Sequence, residues 1–209
     1  MKSALPNILT GLRLALTLVV FLGLIALSQP LWFGDDPGRA RLLGALTYFL
    51  VFWGFIVAAV TDFFDGWLAR RWNVVSTAGA ILDPIADKVL VAGAIVGLAN
   101  LAGWAVALPG GLILFREFSV SAMREVLAPK GIKLPVTVLA KWKTTLQLVA
   151  LTAILFVVGM PFWNLPDSML GSVLYLQTGA VGLVWLATLV TLWTGAEYGF
   201  AAAKALKAG

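Results

Sequence analysis

An all-α integral membrane protein, with six transmembrane helices and a short interfacial helix ahead of the first, is the fold class this sequence predicts. Three observations predict it. The 209-residue chain is 61% hydrophobic and only 12% charged, where soluble domains carry about 25% charged residues. Long charge-free runs occupy 14–34, 42–61, 89–115, 144–166 and 168–196, and a span needs about 20 apolar residues. The basic residues also fall almost wholly on one side of the alternating spans that these runs define.

The elements follow in chain order. MKSALPNILTGLR opens with Pro6 near a helix start, and Asn7, Thr10 and Arg13 share a rough helical face at i, i+3, i+6. An interfacial anchor is one reading of this segment. Lys2 and Arg13 before an apolar run also resemble a secretory leader, but a clean A-x-A site is missing, so the first span is expected to be retained. The second span, 42–61, follows a Pro/Gly turn at 28–39, and RWNVVSTA (71–78) reads as the turn into the third. A shorter helical candidate, 112–128, carries Arg116, Glu117, Arg124 and Glu125 and makes the sixth span. APKGIKLP (128–135) is a basic loop and GMPFWNLPDS (159–168) another turn. Neither a repeat nor a soluble domain is visible, so residues 1–209 read as one membrane domain.

An even number of spans puts both termini on one side. Lys2, Arg13, Arg70, Arg71, Lys88, Arg124, Lys130, Lys133, Lys141, Lys143, Lys204 and Lys207 then share that side, and Arg39 and Arg41 lie opposite with Asp35 and Asp36. The positive-inside rule makes the terminal side cytoplasmic.

Four of the ten acids sit together in TDFFDGWLARRWNVVSTAGAILDPIADK, residues 61–88. A charge at the centre of a membrane helix costs about 2.5–3.5 kcal/mol on insertion scales. Taken singly, each feature has a plain reading. Asp62 can snorkel to water, an Asp/Arg pair can be a structural salt bridge, and a Gly/Ala face can be helix packing. Taken together they point to chemistry. Asp62 and Asp65 are i, i+3, and Asp83 and Asp87 are i, i+4, so two helix ends can present four carboxylates to one point. Two divalent cations would neutralise them, the clamp used in phosphoryl chemistry. With no Cys and no His in the chain, disulfides, thiol chemistry and phosphohistidine are excluded. Any metal must take oxygen ligands, which favours Mg²⁺, Mn²⁺ or Ca²⁺. Gly66, Ala69 and Gly79 leave room for a flat ligand or a close helix, and Arg70 suits a phosphate.

A second polar stretch is FREFSVSAMREVLAPKGIKLPVTVLAKWKTTLQ, 115–147. Arg116 near the membrane boundary is costly without a partner, and Glu117 is one candidate. Arg124, Lys141 and Lys143 can converge with it. Such a cluster beside metal-binding carboxylates suggests an acceptor that carries its own phosphate. Lys130 and Lys133 read as topology signals.

The pattern D-x2-D-G-x2-A-R-x8-G-x3-D-x3-D, met at every fixed position from Asp62 to Asp87, resembles the signature of the CDP-alcohol phosphotransferase family. The resemblance implies that family's six-helix fold, a homodimer and a cytoplasm-facing two-metal site. It also implies transfer of a phosphoalcohol from a CDP-linked donor to a hydroxyl, with release of CMP. Asp62, Asp65, Asp83 and Asp87 would then hold two Mg²⁺ ions, with Mn²⁺ as a substitute, and Asp87 would also be the general base. Gly66, Ala69, Arg70 and Gly79 would contact the nucleotide, and Ser76 the donor phosphates.

PNILTGLR (6–13), the Arg116–Glu125 segment and KWKTTLQ (141–147) are similar to the bacterial phosphatidylglycerophosphate synthase branch of that family. This implies CDP-diacylglycerol as donor and glycerol 3-phosphate as acceptor, in a bacterial cytoplasmic membrane. Arg116, Arg124, Lys141 and Lys143 would hold the acceptor, and Asn7, Thr10 and Arg13 would line the donor side. A cardiolipin synthase and an inositol-phosphate or serine acceptor are rivals within the family. A divalent-cation transporter and a non-catalytic scaffold are rivals from other classes. Transporter sites usually sit at mid-membrane in broken helices, whereas these aspartates sit at helix ends.

Overall fold

The computed structural model describes residues 4–72, 77–131, 138–163, 166 and 171–208, with the side chains of 4–7, 30–31, 62–72, 77–81, 83–84, 87, 138, 140–141 and 207–208 outside the description. Six long helices carry the described chain: α1 Ala4–Ser28, α2 Pro37–Trp72, α3 Thr77–Ala102, α4 Trp104–Leu127, α5 Val138–Val158 and α6 Val173–Ala208. Among the described residues there is no strand. Among the described residues, four segments are long and apolar enough to cross a membrane, namely Ile8–Ser28, Pro37–Thr61, Trp104–Lys130 and Val173–Leu206. Shorter apolar stretches, Lys88–Ala102 and Trp142–Val158, belong to α3 and α5. The chain is a multi-pass membrane protein.

Two boundaries differ from the sequence expectation. Residues 4–13 are not a separate interfacial helix but continue into the first span as α1. Pro6 falls in the first turn, where a missing N–H costs little. The charge-free run 89–115 is not one helix. It breaks at Gly103, whose φ of 63° lies in the left-handed region that glycine adopts cheaply. The Gly103 N–H donates to the Ala99 carbonyl (3.0 Å), and its own carbonyl accepts from Ala107 N–H (2.9 Å). One residue thus closes α3 and opens α4, and the 112–128 candidate is the second half of α4.

α1 packs against α2 and α3, while α6 packs against α4 and α5, and α3 touches both α4 and α5. Leu24, Val51, Phe55, Leu98, Val106, Leu151 and Leu155 are among the buried residues that fill the middle. In lipid, apolar side chains gain little from leaving one hydrocarbon phase for another, so close packing holds the bundle. Glycine makes that approach possible: a Cβ at Gly97 would stand 2.6 Å from Leu24, and Gly23 and Gly110 are similarly pressed by Val51 and Ile95.

One end of the bundle is locked by aromatic rings. Tyr48 on α2 is fully buried, stacks on Phe162 and meets Trp163 edge-on. Its hydroxyl donates to the Leu155 carbonyl (3.2 Å) and accepts from Trp163 Nε1 (2.8 Å). Asp36 caps α2 at this end, its carboxylate accepting the Arg39 N–H at 2.6 Å. The opposite end gathers the polar residues.

Candidate functional site

That polar end is built by late α4, early α3, early α5 and late α6. Arg116, Val120 and Arg124 recur at i, i+4 and i+8 on α4 and line one cavity of about 310 Å³. Lys88 and Val91 come from α3, Lys143, Thr144 and Gln147 from α5, and Tyr198 from α6.

Arg116 is only 5% exposed and Lys143 only 7%. Cations buried this deeply need partners, and Glu117 supplies them. Its Oε1 accepts from Arg116 Nη1 at 3.3 Å, from the Lys143 ammonium, and more weakly from Gln147 Nε2 at 3.4 Å. The last helix completes the support. Arg116 Nη2 donates to Thr194 Oγ1 (3.0 Å), and Gln147 Nε2 donates to Thr191 Oγ1 (2.8 Å). Arg124 is exposed at the rim, and its Nη2 donates to the Tyr198 hydroxyl at 2.7 Å. Arg116 Nε is buried with no hydrogen-bond partner among the described residues. Among the described residues that line the cavity, one carboxylate against four guanidinium or ammonium groups, Lys88 included, leaves net positive charge and an unused donor. Such a pocket suits an anion with several oxygens, as a phosphate has.

The structure therefore brings together Arg116, Arg124 and Lys143, three of the four residues expected to form an acceptor site. The side chain of the fourth, Lys141, lies outside the described residues, although its backbone is helical in α5. Thr10 and Arg13 are each 1% exposed on α1, the helix that packs on α2 and α3, and neither lines this cavity. Asn7 is helical but its side chain is outside the description.

The aspartates are placed by their backbones alone. Asp62, Asp65, Gly66, Ala69 and Arg70 lie on the last turns of α2, and Gly79, Asp83 and Asp87 on the first turns of α3. Their side chains, and Ser76 altogether, lie outside the described residues. The two helix ends are joined by residues 73–76 alone, and Lys88, the residue after Asp87, lines the cavity. The four aspartates offer only oxygen donors, the chemistry that fits a hard divalent cation.

A sequence model of the CDP-alcohol phosphatidyltransferase family matches residues 3–193. The chain belongs to that family. Among its relatives, a Rickettsia bellii protein named CDP-diacylglycerol–glycerol-3-phosphate 3-phosphatidyltransferase is 40% identical over 93% of this chain and 92% of its own. A protein of the same name from Escherichia coli is 36% identical over 95% of this chain and 94% of its own. A third, from Cereibacter sphaeroides, is 48% identical over 75% of this chain and 64% of its own.

Within this phosphatidyltransferase fold, the sequence reading missed Tyr198 and the Thr191/Thr194 pair and gave Gln147 no role. Their signal was present as a polar stripe at 191, 194 and 198, at helical spacing in a mostly apolar helix.

Proposed function

We propose that this protein transfers the phosphatidyl group of CDP-diacylglycerol to sn-glycerol 3-phosphate, giving phosphatidylglycerophosphate and CMP. The observation that carries the reading is the small cationic cavity one residue from Asp87. Relatives that span nearly the whole chain and carry that activity in their names support it.

In this mechanism Arg116, Arg124 and Lys143, with Lys141 beside them, hold the acceptor's phosphate and leave its free primary hydroxyl directed to α3. Asp87 accepts the hydroxyl proton as that oxygen bonds to the phosphorus bearing the diacylglycerol. The bond from that phosphorus to the CMP oxygen breaks, and CMP leaves. Gly66, Ala69, Arg70 and Gly79 orient the cytidine nucleotide, with Ser76 on the donor phosphates. Asn7, Thr10 and Arg13 line the donor side. Asp62, Asp65, Asp83 and Asp87 are assigned to two Mg²⁺ ions, whose chemistry is to neutralise the donor pyrophosphate and the charge on departing CMP. Fixing two reactants side by side supplies much of the rate in such transfers.

The setting belongs to the same proposal. All six long helices cross a bacterial inner membrane, the protein acts as a homodimer, and both termini and the site face the cytoplasm. A water-soluble acceptor then meets a lipid donor at the membrane surface.

The test is CMP release by purified protein in detergent with CDP-diacylglycerol and Mg²⁺, with and without glycerol 3-phosphate. Release that needs both, with a phosphomonoester lipid as product, is expected. Release that ignores glycerol 3-phosphate and responds to phosphatidylglycerol would replace this reading with a cardiolipin synthase. Silence with every acceptor and divalent ion would return the transporter and scaffold readings.

A further inference from the structure

Tyr198 has no place in the reaction just described, yet among the described residues it is the side chain by which α6 lines the cavity. It is 2% exposed. Its hydroxyl accepts a hydrogen bond from the Arg124 guanidinium at 2.7 Å. Its ring centroid lies 4.8 Å from Arg124 Cζ and 5.5 Å from Arg116 Cζ. Both distances are within the range of a cation–π contact. Tyr198 packs with Val120 and Met123 in a small cluster separate from the main core, so its position does not depend on filling the bundle centre.

We infer that Tyr198 is the positioning residue of the anion pocket: it holds the guanidiniums of Arg116 and Arg124 together at the cavity, ready for a phosphate monoester. Arg116 is otherwise fixed from the inside by Thr194 and Glu117. Arg124 is at the rim, and an exposed arginine left to itself samples many rotamers, a freedom it loses on binding. Tyr198 removes part of that cost before the ligand arrives, because one buried ring faces both cations and one hydroxyl pins the mobile one. Preorganisation of this kind raises affinity without adding a contact to the ligand.

This rests on the phosphatidyltransferase reading for its substrate, so the experiment separates the two. Binding of glycerol 3-phosphate, and of inorganic phosphate as a simpler probe, is measured by thermal stabilisation of the purified protein without donor. KM values for both substrates and kcat are measured in parallel. Tyr198→Phe keeps the ring and loses the hydroxyl; Tyr198→Leu loses both. Expected is a graded weakening of glycerol 3-phosphate, with Tyr198→Phe losing about ten-fold, the scale of one hydrogen bond to a charged group, and Tyr198→Leu losing more. The KM for CDP-diacylglycerol should hold within about two-fold in Tyr198→Phe.

Equal acceptor affinity in wild type and Tyr198→Phe and Tyr198→Leu would overturn the assignment. So would equal loss for donor and acceptor, which is the mark of a merely structural residue. A wild type that binds glycerol 3-phosphate but releases no CMP would overturn the transferase reading alone, with the binding series still deciding Tyr198. A wild type stabilised by neither anion would overturn the pocket and the role of Tyr198 with it. Should Tyr198→Leu fail to fold, the Phe variant decides by itself.

Discussion

Arg116 draws on more of the surrounding structure than any other cation of the cavity: Glu117 and Thr194 bind it, the Tyr198 ring faces it, and Nε is left over. Arg116→Ala should raise the KM for glycerol 3-phosphate by about 10- to 100-fold, the range for one or two charged hydrogen bonds, with the donor KM changed far less. Steady-state kinetics with each substrate varied in turn checks it, and equal effects would remove Arg116 from the acceptor pocket. Asp87→Asn should abolish transfer while leaving folded protein that still binds CDP-diacylglycerol, because an amide cannot take the hydroxyl proton. Turnover near the wild-type rate would remove Asp87 as the base. Both residues stand out in the sequence for one physical reason. A charge in an apolar chain is expensive, so each one that is present asks for a purpose. Thr191, Thr194 and Tyr198 escaped because hydroxyl side chains are cheap in a membrane helix, where they can bond to their own backbone, as Thr194 does with the Thr191 carbonyl at 2.9 Å. Only the fold showed that they face Arg116, Gln147 and Arg124.

At the scale of the element, α6 acts as the wall against which α4 sets its arginines. Thr188 Oγ1 reaches the Pro109 carbonyl on α4 at 3.3 Å, Thr194 bonds Arg116, and Tyr198 bonds Arg124. Contact thus runs along much of both helices. Gly195 is what lets them approach at the site: a Cβ there would stand 2.6 Å from Arg116 Cγ. That atom is near the start of the side chain, so it cannot swing aside without carrying the guanidinium with it. Gly195→Ala should therefore raise the acceptor KM several-fold with little change in the donor KM, although no charge has been touched. An acceptor KM at the wild-type value would show that the pocket tolerates a displaced Arg116. The same glycine had no visible mark in the sequence, one of 21 in the chain. Gly103 escaped for the related reason that a positive φ leaves no trace in hydropathy, and so the run 89–115 read as one helix. What hydropathy does report is the all-helical class and the approximate place of the apolar helices, because the cost of exposing polar backbone to lipid permits few alternatives.

At the scale of the whole molecule, the proposed six-crossing topology turns on α3 and α5. Their lengths permit it. At 1.5 Å per residue, the 26 residues of α3 and the 21 of α5 give about 39 Å and 32 Å, against a hydrocarbon core of about 30 Å. Asp83, Asp87 and Lys88 occupy the start of α3, and Lys141 and Lys143 the start of α5. Those charges all belong to the polar end, where a helix can keep them at the water boundary and still span. The natural chain has no cysteine, so a single introduced thiol can be labelled without background. Three exposed positions divide the problem: Asp35 between α1 and α2, Lys130 after α4, and Lys204 late in α6. With all six helices crossing, a membrane-impermeant maleimide applied from outside the cell should label Asp35→Cys and spare Lys130→Cys and Lys204→Cys, which become reactive only in inverted vesicles. If α3 did not cross, Lys130 would share the side of Asp35. If α5 did not cross, Lys130 and Lys204 would fall on opposite sides. Each failure has its own pattern, and either would put the cationic cavity on a different side from part of the helix set that builds it. A site that joins α3, α4, α5 and α6 at one end is the arrangement expected of the proposed six-crossing pattern.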